Sequence, residues 1–112
     1  MTRLLKVAAA QLGPIQRTDN RQIVVKRLIE LLRNAHAQKA ELVVFPELAL
    51  TTFFPRWFVD DISQADHWYE TQMPSPITQP LFDEAKKLAV GFCLGYAELT
   101  PNGERFNTQI LV

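Results

Sequence analysis

The sequence predicts an α/β fold: a βαβ unit, then a helix, a strand and a hairpin strand. Three observations carry that prediction. Short apolar runs occupy residues 4–11 and 41–45, an amphipathic helical stripe lies between them, and Asn102-Gly103 separates two later strand-like runs.

Each element has a local cause. The run 4–11 ends at Gly13-Pro14, which stops a strand. Asp19 is placed to cap the next helix, with Gln22 at capping-box spacing. Val24, Leu28, Leu31, Leu32 and Ala35 then form one helical stripe, and Arg21, Lys26, Arg27, Glu30 and Arg33 fall mostly off it. "ELVVF" at 41–45 is a second strand, and two strands joined by a helix lie parallel. Thr78 and Pro80 read as the cap and first turn of a second helix with Leu81, Ala85, Leu88 and Ala89 as its stripe. In "VGFCLGYAEL", Phe92, Leu94 and Tyr96 share one strand face while Gly91, Cys93 and Gly95 share the other. Asn102-Gly103 turns the chain into an antiparallel fourth strand, "RFNTQILV".

Composition narrows the function classes. The chain has 112 residues, 47% hydrophobic and 21% charged, which suits one globular domain or part of a larger one and excludes disorder. Twelve basic and twelve acidic side chains cancel, so nothing points to nucleic acid or an anionic membrane as partner. No run approaches the ~20 apolar residues that span a bilayer. The opening "MTRLLKVAAAQLG" reads as a strand and not as a signal peptide, because its apolar run is short. Residues 1–56 hold nine Lys/Arg and four Asp/Glu, whereas residues 57–112 hold three and eight. That asymmetry reflects either a basic helix surface beside an acidic loop region, or a polar contact between the halves or between subunits. A single cysteine excludes an intrachain disulfide and fits a cytoplasmic protein.

Glu47 is the candidate for chemistry. It follows the end of a parallel strand, where ligands of open α/β sheets bind. Pro46 stiffens the exit from that strand and aims the next side chain. Apolar flanks favour a carboxylate that acts as a general base near neutral pH. On spacing alone, Glu47 also suits a helix cap or a pair with Arg56. The aromatic cluster "TTFFPRWF" holds Phe53 and Phe54, which either line an apolar pocket beside the carboxylate or anchor the loop. Cys93 sits inside a strand with no adjacent His and reads as a small buried thiol, not a nucleophile. His36 and His67 stand apart from any Cys or carboxylate cluster, so no metal site is expected, and no Gly-rich phosphate loop is present.

"VVFPELALTTFFPRWF", followed by "YETQMPSPITQPLF" and "GFCLGYAEL…RFNTQILV", resembles the nitrilase superfamily of carbon–nitrogen hydrolases, and within it the N-carbamoyl-D-amino-acid amidohydrolases. The likeness runs from Leu5 to Val112. "FPEL" marks the superfamily, whereas "ALTTFFPRW" and the "YET.MP.P" block favour the carbamoylases. The resemblance implies an α-β-β-α sandwich and a Glu-Lys-Cys triad that works without a cofactor on a small-molecule substrate, in a homo-oligomer. Glu47 matches the triad's glutamate. Cys93 does not match its cysteine, and neither Lys86 nor Lys87 matches its lysine; both partners are expected beyond Val112. Residues 1–112 are thus expected to be a partial hydrolase domain, inactive when isolated. An apolar strand end at Ile110-Leu111-Val112 leads to the same expectation. An aliphatic amidase or nitrilase segment, or a stand-alone interaction module, are the other readings.

Overall fold

The computed structural model describes residues 2–112. Its order is β1 (Val7–Ala9), α1 (Arg21–Ala37), β2 (Leu42–Val44), two 3-10 helices (Phe54–Arg56 and Ile62–Trp68), α2 (Gln79–Leu88), β3 (Gly91–Leu99) and β4 (Arg105–Leu111). The four strands form one sheet in the order β1-β2-β3-β4. β1, β2 and β3 are parallel, and β4 returns antiparallel to β3. The α/β class and the βαβ-helix-strand-hairpin order agree with the sequence reading, although the first two strands are shorter than their apolar runs.

Several boundaries differ for identifiable reasons. Asn20, not Asp19, caps α1: its Oδ1 accepts from the Ile23 N–H at 2.9 Å. Asp19 instead accepts from the Gln16 N–H, one residue too early to serve the helix. Val25 joins the buried stripe of α1, while Leu31 is only partly covered. Thr78 is the α2 cap by position but not through its side chain. Its hydroxyl oxygen accepts from the Ser75 N–H at 2.7 Å, closing a turn before the helix. Ala89 lies outside the stripe and is the C-cap of α2, with φ 55° in the left-handed region. The hairpin is not a two-residue turn on Asn102-Gly103. The Gly103 N–H donates to the Thr100 carbonyl, and only Gly103 has positive φ there, at 83°. Pro101 and Asn102 thus form the centre of the turn, and Gly103 supplies the left-handed residue that follows it.

Pairing partners share a face, so the register divides the sheet into two sides. Val43, Phe92 and Leu94 are fully buried under α1 and α2, in one core with Val24, Leu28, Leu32, Leu81 and Ala85. Phe45 and Phe82 meet the Phe92 ring edge-on, at 5.9 and 5.3 Å between centroids. The opposite side carries Val7 at 50% exposure, Val44 at 37% and Leu111 at 73%. No layer covers it. The radius of gyration is 15.0 Å, against about 13 Å for a compact chain of this length.

The charge asymmetry is resolved in part by contact. Arg21 pairs with buried Glu70 at 2.5 Å and also donates to the His67 carbonyl, and Arg33 pairs with Glu84 at 3.0 Å. Both pairs tie α1, in the basic half, to the acidic half. Among the described residues, no helix is long and apolar enough to cross a membrane.

Candidate active site

β2 stops early, and the chain that follows it stays on the edge of β3. The Phe45 N–H donates to the Cys93 carbonyl at 3.0 Å, and the Ala49 N–H donates to the Gly95 carbonyl at 2.8 Å. Glu70 then takes over further along, donating to Ala97 and accepting from Leu99. Between the first two anchors the backbone arches outward through Pro46, Glu47 and Leu48. Leu48 has φ 46°, a conformation that costs a side-chain-bearing residue about 1–2 kcal/mol. Its side chain is buried with Phe54, Ala65 and Ala97, and that burial holds the turn closed.

Gly95 lets the arch lie this close. A Cβ there would fall 3.1 Å from both the Glu47 Cα and the Pro46 carbonyl oxygen, and 3.0 Å from Gln109 Oε1. Above it, the exposed Glu47 carboxylate accepts one side-chain hydrogen bond, from Asn107 Nδ2 to Oε1 at 2.5 Å. It neither caps a helix nor pairs with Arg56, whose guanidinium lies over the Trp57 ring. Arg105, two residues before Asn107 on β4, is held by Asp66 at 2.6 Å and lies 5.7 Å from the Tyr69 ring centre.

These groups bound a cleft of about 250 Å³, lined by Glu47, Phe53, Phe54, Tyr69, Arg105 and Asn107 among others. The structure therefore brings Glu47, Phe53 and Phe54 to one cavity. The two phenylalanines are not equivalent. Phe54 is buried and stacks on Trp68 at 5.2 Å, with its planes 6° apart, whereas Phe53 is 48% exposed. Phe53 is free to meet a ligand, and Phe54 mainly holds the wall upright. Asn107, Arg105 and Tyr69 are site residues that the sequence reading missed. The polar alternation of Arg105, Asn107 and Gln109 along β4 was the available signal.

Cys93 lies on the uncovered side of the sheet, opposite Leu111, and does not line the Glu47 cleft. The expectation that it is a buried thiol needs correction: it is half-buried, because no second layer closes over it. His36 lies in the last turn of α1 and His67 packs on Trp68 at 4.0 Å, so neither reaches Glu47. No group of three or more metal-ligating side chains occurs among the described residues. A second cleft, of about 280 Å³, lies by the start of α1 and includes Arg17, Arg21, Thr52 and His67. Arg21 there is already engaged by Glu70, and Arg17 lies over the Trp57 and Trp68 rings.

Burial, with help from Glu98 and Glu70, raises the Tyr96 phenol above its ordinary range and keeps it protonated, and Tyr96 does not line the Glu47 cleft.

The chain thus presents a carboxylate on a tight arch at the end of a parallel strand, beside an aromatic cleft. The chain matches the carbon–nitrogen hydrolase family model over residues 6–112, and it belongs to that family. Its fold is also that of solved relatives. Nit3 from Saccharomyces cerevisiae, a member of branch 10 of the nitrilase superfamily, superposes with a TM-score of 0.71 at 22% identity, over 96% of this chain and 39% of that one. A carbon–nitrogen hydrolase from Helicobacter pylori G27 gives 0.71 at 18% identity, over 96% and 35%. An N-terminal amidase gives 0.64 at 20% identity, over 96% and 25%. At these identities the likeness establishes the fold, and this chain spans between a quarter and two fifths of the length of those proteins.

Proposed function

We propose that this chain is the N-terminal segment of a hydrolase that converts N-carbamoyl-D-amino acids to D-amino acid, carbon dioxide and ammonia, with Glu47 as general base. The observation that carries the reading is the Glu47 arch, which holds an accessible carboxylate at the rim of an aromatic cleft. The motifs "ALTTFFPRW" and "YETQMPSP" favour the carbamoyl substrate.

Glu47 takes the proton of a cysteine thiol supplied outside residues 1–112, and the sulfur bonds to the carbamoyl carbon. A lysine, likewise supplied outside, stabilises the oxyanion. The C–N bond to the amino acid breaks, and Glu47 returns the proton to the departing amine. Water then adds to the carbamoyl thioester with Glu47 again accepting a proton. The S–C bond breaks, the sulfur takes the proton back from Glu47, and carbamic acid falls to carbon dioxide and ammonia. Phe53 faces the side chain of the amino acid. With one triad member of three, the 112-residue chain does not turn over, because such groups act as a unit. The whole enzyme works in the cytoplasm as a homo-oligomer.

The test is a panel assay of the full-length protein on N-carbamoyl-D-amino acids, their L-enantiomers, simple amides and nitriles. Turnover of the D-carbamoyl compounds is expected, and activity confined to amides or nitriles would overturn the substrate. Glu47→Gln is expected to lower kcat roughly 10²–10⁴-fold, the usual worth of a positioned base, with the fold intact. Near wild-type turnover in that variant would remove Glu47 from the mechanism.

A further inference from the structure

We infer that Asn107 is a positioning residue for Glu47, fixing which carboxylate oxygen acts as the base; the inference rests on the reading of Glu47 as general base. The two residues are 60 apart in sequence and meet only because β4 folds back along β3. The Asn107 amide donates to Oε1 at 2.5 Å, and no second side-chain donor reaches the carboxylate among the described residues. An ionised carboxylate only accepts, so the amide must present its NH₂ and not its carbonyl. Oε1 is thereby committed, and Oε2 is left to receive the proton.

The backbone supports the same arrangement. The arch is pinned to β3 on both sides by Phe45 and Ala49, and Gly95 beneath it leaves no room to sink. That fixes the Glu47 Cα but not the rotation of an exposed side chain. Asn107 supplies the missing restraint. It pairs with Ala97 across the hairpin and projects from a strand, a rigid support for a group that must hold an angle. The Gly103 turn sets the β3–β4 register and hence decides that residue 107, and not a neighbour, stands opposite.

The test uses the full-length enzyme with Asn107→Asp, Asn107→Ala and Glu47→Gln, assayed on N-carbamoyl-D-phenylalanine, or on a simple amide if that compound is inert. Asn107→Asp keeps the shape but replaces the donor with a second acceptor. Both Asn107 variants are expected to lose kcat by roughly 100-fold, the scale of a misplaced catalytic group, with KM within about twofold. Melting temperatures should stay near wild type, since Asn107 is exposed. Wild-type kcat in both Asn107 variants, with Glu47→Gln inactive, overturns the positioning role alone. Loss of kcat that only tracks loss of thermal stability also overturns it. An active Glu47→Gln overturns the reading of Glu47 and this inference with it.

Discussion

The two sides of the sheet obey different rules. Beneath α1 and α2, Val43, Phe92 and Leu94 are sealed in a core with interlocking aromatic rings. On the other side, Val44 and Leu111 are exposed, Cys93 is only half-buried, and glycines occupy β3 where a side chain would normally project. One side is built for stability. The other leaves space for what approaches it: the Glu47 arch at Gly95, and further along an apolar surface with nothing on it. A strand can thus be tightly packed on one face of its pleat and open on the other, and the Glu47 arch sits where the packing is least.

That contrast can be broken by experiment. Phe92→Ala in the 112-residue chain should cost about 3–5 kcal/mol in urea unfolding, because a fully buried ring leaves a cavity. A loss under about 1 kcal/mol would mean that the core relaxes freely and the sealed side is not sealed. Gly95→Ala should cost about 1–3 kcal/mol, because the new methyl must displace the backbone of the arch, while Gln109 can simply swing aside. In the full-length enzyme the same change should depress kcat more than KM; unchanged kinetics would show that the arch tolerates lifting. Leu111→Lys should shift the stability of the 112-residue chain by no more than about 0.5 kcal/mol, as exposed sites do. A severe loss would show that the open side is covered after all, by a second copy in solution.

The smallest effect concerns the tie between the helices. The Arg33 guanidinium, by hydrogen bond and charge, holds the Glu84 carboxyl below its ordinary value. A depressed folded-state value means that the stability is present near neutral pH and fades as pH falls through the carboxylate range. Wild type should therefore melt slightly above Glu84→Gln near neutrality, with the gap closing in acid and in high salt. A gap that widened in acid would assign Glu84 some other role.

The parts of this molecule that were legible in its sequence are those with short-range causes. The α1 stripe follows from helical spacing, and Val24, Leu28, Leu32 and Ala35 are buried as that spacing demands. Misreadings of one residue arose where two side chains compete for one job: Asp19 and Asn20 both suit a cap, and backbone geometry decides between them. Asn102-Gly103 marked the hairpin but not its form, because Pro101 already occupies the first corner of the turn. The place of Glu47 at a strand exit was legible through its proline and its strand, whereas its reading as a base came from the family resemblance. Asn107 was not, because its partner lies across a hairpin and the pairing depends on register, which no local pattern displays. Cys93 was misjudged because burial depends on what covers a face, and one strand cannot report that.

The edge of β3 has a last consequence. Ala49 and Glu70 are both bonded to the same strand, so the twenty residues between them leave and return to fixed posts. Changing the length of a loop with anchored ends costs little, about 0.6 kcal/mol per doubling. The wall is not independent of the arch, because Phe54 and Ala65 lie within it and bury Leu48 beside Glu47, whereas exposed Phe53 can change without reaching that support. The segment can thus change in length between its two posts, but not freely at the residues that close the arch.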